Sequence, residues 1–228
     1  MLVILLLTEN IIRNFKNRNN LIFFSFLWIC TLIAILLTHS RSAFIMLVVG
    51  IITLLSLHRL FKVLGILVLV LFALLFIFSN RNIEGLNPLR IASVEARIDS
   101  ANEAISIFSQ NPVLGVGFNA YRYALTRYVF RTESGSAVSN ADAGTDNSYL
   151  FVLATTGIIG FLIFLDFWVN IFKVIIRSFQ SNFYEVVTVA SIAGLLINTL
   201  FINSLFYPPI MAWIFILIGV TTLETREK

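Results

Sequence analysis

Charge is what this chain has least of. Only 12% of its 228 residues are Asp, Glu, Lys or Arg, against about 25% in an ordinary soluble domain. That argues against a water-soluble globule. Cysteine is almost absent: Cys30 stands alone inside an apolar run, so there is no intrachain disulfide and no disulfide scaffold. An Asp-x-Asp pair is missing, and neither His39 nor His58 has a partner at metal-ligand spacing. No metal site is expected. What the chain has in abundance is apolar: 58% hydrophobic residues, 22 phenylalanines and a mean hydropathy of +0.92. This composition excludes disorder and a collagen-like fibre. It predicts an all-α polytopic membrane protein.

Crossing a bilayer takes roughly 17–25 apolar residues in a helix. Six stretches qualify: Leu21–Thr38, Ser42–Leu57, Val63–Ser79, Ser148–Phe172, Val186–Phe206 and Pro209–Leu223. The second and last are short, which tilt or bilayer thinning accommodates. Pro208-Pro209 breaks the last two into an expected tight helical hairpin. Leu2–Leu7 is too short to span, and its cations follow rather than precede it, unlike a signal peptide. The resulting division is a segment 1–20, three spans in 21–79, a long loop 80–147, three spans in 148–223 and a tail 224–228.

Lysine and arginine in the short segments orient the bundle. With the N-terminus inside, the inner segments carry Arg13, Lys16, Arg18, Arg59, Lys62, Lys173, Arg177, Arg226 and Lys228, and the short outer ones carry only Arg41. Both termini are then cytoplasmic and the long loop is extracytoplasmic. All four lysines fall inside, and every outer cation is arginine. Arginine's planar fork grips phosphate oxygens in a bidentate way that lysine does not match. Pairing with Glu84, Glu95, Asp99 and Glu103 is the alternative use of the same side chains.

The loop has internal order. Ile91, Val94, Ile98, Ala101, Ile105 and Phe108 recur at steps of three and four, predicting an amphipathic helix that Asn111-Pro112 stops. Gly115 and Gly117 mark a turn. Phe118, Tyr121, Leu125 and Tyr128 then form the stripe of a second helix. These stripes suit either the membrane interface or packing onto span ends. Arg90 and Arg97, seven residues apart, share one helix face. Within the fourth span, Thr156, Gly157 and Gly160 suit close approach of a neighbouring helix. In the fifth, Asn198 and Asn203 suit hydrogen bonds between helices.

Three segments together give the chain a family likeness. Ser40-Arg41-Ser42 opens an apolar span. Arg97 is followed by Pro112-Val113-Leu114-Gly115-Val116-Gly117-Phe118-Asn119. Asp146-Asn147-Ser148-Tyr149-Leu150 runs on to Thr156-Gly157-Ile158-Ile159-Gly160. In order and spacing they resemble the O-antigen ligase and O-antigen polymerase superfamily of bacterial membrane glycosyltransferases, over roughly Thr38 to Gly160. Such proteins have about twice as many spans, so the chain resembles their C-terminal half. Asp146 stands where ligase-type members carry histidine, and Ala101 where a tryptophan is common.

The resemblance implies an undecaprenyl-diphosphate-linked glycan as donor and a glycan or lipid as acceptor, at the outer face of the inner membrane. It also implies membrane lipids, a flippase and a chain-length regulator as partners, with no nucleic acid and no cofactor. Arg41 and Arg97 would be catalytic, because preorganised cations stabilise charge developing on a diphosphate leaving group. Asp146 would act as base or hydrogen-bond acceptor toward the acceptor hydroxyl, or would merely cap the fourth span. Ser40, Arg90, Gly115, Gly117, Asn119, Asn147 and Tyr149 would bind substrate. Polymerisation of repeat units is favoured because of Asp146. Ligation is one alternative, and an anionic lipid or solute transporter or an inactive remnant is another. A transporter would favour internal repeats and helices broken near the midplane, and no repeat is evident.

Overall fold

The computed structural model describes residues 2–38, 40–66, 91–128, 144–177 and 182–226. Regular structure among these residues is helical throughout: α1 (Leu2–Arg13), α2 (Arg18–Leu37), α3 (Arg41–Leu57), α4 (Ile91–Gln110), α5 (Tyr121–Tyr128), α6 (Ser148–Arg177), α7 (Phe183–Asn198) and α8 (Pro208–Arg226). Residues 61–66 are helical too. Within α2 and α6, Arg18–Leu37 and Ser148–Ile176 are long and apolar enough to cross a membrane, while Arg41–Leu57, Phe183–Asn198 and Pro208–Leu223 are apolar but shorter. Most of the third expected span, Val63–Ser79, lies outside the described residues.

The expected fifth span is corrected. α7 ends at Asn198 and residues 199–207 are turns, although the apolar run continues to Phe206. The backbone there is used differently: Thr199 O accepts from Ser148 N at 2.9 Å, and Leu200 O accepts from Asn147 Nδ2 at 3.1 Å. A nine-residue connection thus replaces the tight hairpin.

The chain forms two compact units, the first comprising Met1–Arg90, Ile175–Asn198 and Ala212–Lys228, the second Ile91–Val174 and Thr199–Met211.

In the first unit the opening run Leu2–Leu7 is part of a packed helix rather than a loose segment. Ile4 and Leu5 have no exposed surface. Leu5 meets Leu54, Val186 and Ala190, and Ile4 meets Ile35 and Leu47. Trp28 Nε1 donates to Thr8 Oγ1 at 2.9 Å. α3 packs along α7, and the Thr188 and Thr221 hydroxyls, 2.8 Å apart, join α7 to α8. Glu9 is fully buried, with its carboxylate 2.6 Å from Arg13 Nε and 2.7 Å from His58 Nε2. α3 closes in a hydrogen-bonded cap: Leu60 N donates to Leu55 O and Arg59 N to Ser56 O. This pattern ordinarily ends on glycine. Here Arg59 occupies the left-handed position, with φ 56°, at a cost of about 1–2 kcal/mol.

In the second unit α4 and α5 pack on the N-terminal part of α6. Ala104, Ile107, Tyr121, Ala124, Leu125, Phe151 and Ala154 form the core, with Phe206 against it. The packed face of α4 differs from the stripe its hydropathy predicts: Val94, Ile98 and Ile105 are exposed, whereas Ala104 and Ile107 are buried. Phe118 precedes α5 instead of belonging to it. Its ring sits 5.3 Å from that of Phe151 and 5.6 Å from that of Phe206.

α6 is broken inside its apolar run. Gly157 has φ 66° and ψ −169°, which interrupts the ladder of helical hydrogen bonds. The freed groups pair with the turn after α4. Ile158 N and Ile159 N donate to Pro112 O and Val113 O at 2.9 and 3.4 Å, while Ala154 O and Thr155 O accept from Val116 N and Gly117 N at 3.1 and 2.8 Å. In an apolar medium unpaired backbone groups cost several kcal/mol each, so a break is tolerated only where protein restores them. Glycine is required on both sides of this joint. A Cβ on Gly157 would lie 2.3 Å from Val113 O, and one on Gly115, itself at φ 68°, would lie 2.4 Å from the Thr155 carbonyl carbon.

Candidate functional site

The second unit gathers two of the three expected catalytic residues. Arg97, Ser100, Ala104 and Ile107 recur at steps of three and four, so they share one face of α4. Arg97 is half-buried there. One turn along, Ser100 Oγ donates to Thr145 Oγ1 at 3.0 Å and accepts from Asp146 N at 3.3 Å. The buried Thr145 hydroxyl also approaches Ser100 O at 3.3 Å. The backbone of Asp146 is therefore fastened within about one helical turn of Arg97. Ser100 was not picked out by the sequence reading. A small hydroxyl residue one turn after a candidate arginine was its only signal.

Asp146 is not the cap of α6. That role falls to Asn147, whose Oδ1 accepts from Tyr149 N and Leu150 N at 2.9 and 3.1 Å. Asp146 itself is exposed. Ser148 Oγ donates to Asn203 Oδ1 at 2.8 Å, so Asn203 makes its contact from a turn. The N-terminus of α6 is pinned to the 199–204 turn by three bonds, from Ser148 N, Ser148 Oγ and Asn147 Nδ2.

The other expected binding residues are spread over different tasks. Gly115 N donates to Asn111 O at 2.9 Å and closes the turn, while Gly117 N donates to Thr155 O across the joint. Asn119 is exposed on the turn between the joint and α5. The ring of Tyr149 packs edge-on against Phe164, 6.1 Å between centroids. Arg90 lies outside the described residues, as does His39.

Arg41 belongs to the first unit. It is the first residue of α3, directly after the cap Ser40, whose Oγ accepts from Ala43 N at 3.3 Å and lies 3.2 Å from Ser42 Oγ. The first turn of α3 carries no acidic residue. A cation at the positive end of a helix is unfavourable by about 0.3–1 kcal/mol. An anion docking there would gain from the guanidinium and the helix end together.

Among the described residues no group of three or more His, Cys, Asp or Glu side chains is placed to hold a metal ion. Asp166 is exposed and accepts from Asn170 Nδ2 at 2.8 Å.

Of the three segments that carry the family likeness, two thus meet: Pro112–Gly117 and Thr156–Gly160 are the halves of one backbone joint, and Asp146-Asn147 supplies the carboxylate and the cap at the N-terminal end of the same helix. No curated protein matches the chain. A family model described as O-antigen ligase matches residues 26–165, more than half of the sequence, and the chain belongs to that family.

Proposed function

We propose that this chain is a membrane glycosyltransferase of surface polysaccharide assembly that polymerises undecaprenyl-diphosphate-linked repeat units at the outer face of the inner membrane. Arg41 and Arg97 stabilise the negative charge that develops on the lipid diphosphate as the glycosidic bond to it breaks. The Asp146 carboxylate accepts the proton of the attacking acceptor hydroxyl, or orients that hydroxyl. Asn119 and Tyr149 contact the glycan, and Arg90 adds a second guanidinium for the donor. Ser40, Asn147, Gly115 and Gly117 hold the surrounding backbone. The reaction uses no metal ion, and a flippase and a chain-length regulator supply donor and set product length.

The observation that carries this reading is the release of Asp146 from capping. Asn147 takes the cap, leaving an exposed carboxylate on a backbone fastened beside the arginine-bearing face of α4. The description of the family as ligase favours a second reading, transfer of lipid-linked glycan to a lipid or protein acceptor.

The test replaces Arg41, Arg97 and Asp146 singly by Ala in cells producing the full native protein, with surface glycan resolved by length on a gel. Single repeat units left on the outer acceptor are expected for a polymerase. Loss of all attachment with lipid-linked polymer accumulating would assign ligation instead. Wild-type length and amount for all three variants would remove these residues from the mechanism.

A further inference from the structure

The end of the first unit where α1 and α3 finish is built from two chain connections with the same pattern. The first carries Arg13, Phe15, Lys16 and Arg18; the second carries Arg59, Phe61 and Lys62. Phe15 and Phe61 are 73% and 63% exposed, and Lys16, Arg18, Arg59 and Lys62 are exposed around them. Glu9 is the only acidic residue before Glu84. It is wholly buried, and it ties the two connections together by meeting Arg13 from one and His58 from the other. Glu185, in the first turn of α7 at this end of the unit, is wholly buried as well, so both carboxylates are taken up inside the fold. What the two connections present outward is positive charge around two open aromatic rings. Arg59 adds an independent sign of function: it is held in a left-handed conformation where glycine would sit without strain. Rising directly from the first connection, α2 leaves Ile22, Phe23, Phe26, Ile29 and Ile33 exposed, a face suited to acyl chains.

We infer that this end of the first unit docks the headgroups of anionic phospholipids, with Lys16, Arg18, Arg59 and Lys62 meeting the phosphates and Phe15 and Phe61 entering the interface. Charge complementarity selects the occupant. Basic segments beside apolar helices gain affinity for anionic headgroups with each cation, while exposed aromatic rings fit the boundary between headgroup and acyl chain. The inference stands apart from the glycosyltransferase reading and involves none of its residues.

The test embeds the full chain in nanodiscs of equimolar phosphatidylcholine and phosphatidylglycerol, extracts it with mild detergent, and counts co-purifying lipid by mass spectrometry. The wild type is expected to retain phosphatidylglycerol in excess over phosphatidylcholine. The Lys16→Gln/Arg18→Gln/Lys62→Gln variant should lose that excess, by about five-fold for each cation removed. The Arg122→Gln/Arg127→Gln variant, altered in the second unit, should keep it. Arg59→Gly guards against misfolding: relief of the left-handed residue keeps or raises the melting temperature while the excess falls. Equal retention of both lipids by the wild type, or an excess unchanged in the triple variant or in Arg59→Gly, would overturn the inference. So would competition by millimolar inorganic phosphate, which would make the occupant a free anion.

Discussion

Ser100 Oγ accepts a hydrogen bond from the backbone N–H of Asp146 at 3.3 Å, joining the helix that carries Arg97 to the entrance of α6. In the proposed reaction this bond fixes where the carboxylate can reach. Ser100→Ala is expected to cut glycan transfer about five- to ten-fold, the worth of one bond of about 1 kcal/mol. Ser100→Thr, which keeps the hydroxyl, should restore most of it. Transfer assays on membranes from the two variants check this; equal activity in Ser100→Ala and wild type would detach Ser100 from the site.

Asp146 and Asn147 should separate function from stability. Asn147→Ala removes the cap of α6 and the bond to Leu200 O, and is expected to cost about 1–2 kcal/mol. Asp146→Ala removes an exposed carboxylate and should leave the melting temperature within about 1 °C while abolishing transfer. Thermal unfolding in detergent and glycan gels, run on both variants, make the comparison.

At the joint, the two glycines that meet should behave alike and differently from their neighbour. Gly115→Ala and Gly157→Ala each drive a methyl into backbone and break the exchange of bonds between turn and helix. A loss of about 2–4 kcal/mol is expected. Gly117 has φ 99°, yet a Cβ there would meet nothing closer than Ala120 Cβ at 3.7 Å, so Gly117→Ala should cost only about 1 kcal/mol. Thermal melts that rank Gly117→Ala with the other two would contradict this account.

Glu9 should be costly to remove. Glu9→Ala takes the partner from the exposed Arg13 and the half-buried His58 and leaves a hole, and a loss of about 1–3 kcal/mol is expected. Thr8→Val, which deletes the bond from Trp28 Nε1, should cost about 1 kcal/mol. Melting curves of the two variants test the order.

Helix α4 shows what a sequence reveals and what it conceals. Its period and the Asn111-Pro112 stop are local, and the observed Ile91–Gln110 agrees with them. Which face packs was not local. Hydropathy favours the large residues Val94, Ile98 and Ile105, but α5 and α6 approach the side of Ala104 and Ile107, where small residues give room. The break at Gly157 was equally hidden. A Thr-Gly-x-x-Gly step in an apolar run reads as close helix packing, and the partner that permits the break lies some forty residues earlier, in a turn whose glycines read as ordinary punctuation. The end of α7 at Asn198 leaves no mark in hydropathy, because bonds from Asn147 and Ser148 decide it. Arg97 and Asp146 stand in the segments of the family likeness, while Ser100, whose hydroxyl joins α4 to the backbone of Asp146, does not.

The broken helix also sets a sequence of events during synthesis. Residues 112–117 leave the ribosome before Gly157 does, so the turn that must receive the freed backbone already exists when α6 is made. α6 is apolar along Ser148–Ile176 and can enter the bilayer as one segment. The four backbone groups of its two broken rungs are paired only when the earlier turn closes onto it. Assembly of this region is therefore a capture step, in which a turn made earlier closes onto a helix still arriving, and a defect in the turn would appear first as failed assembly rather than as lost catalysis.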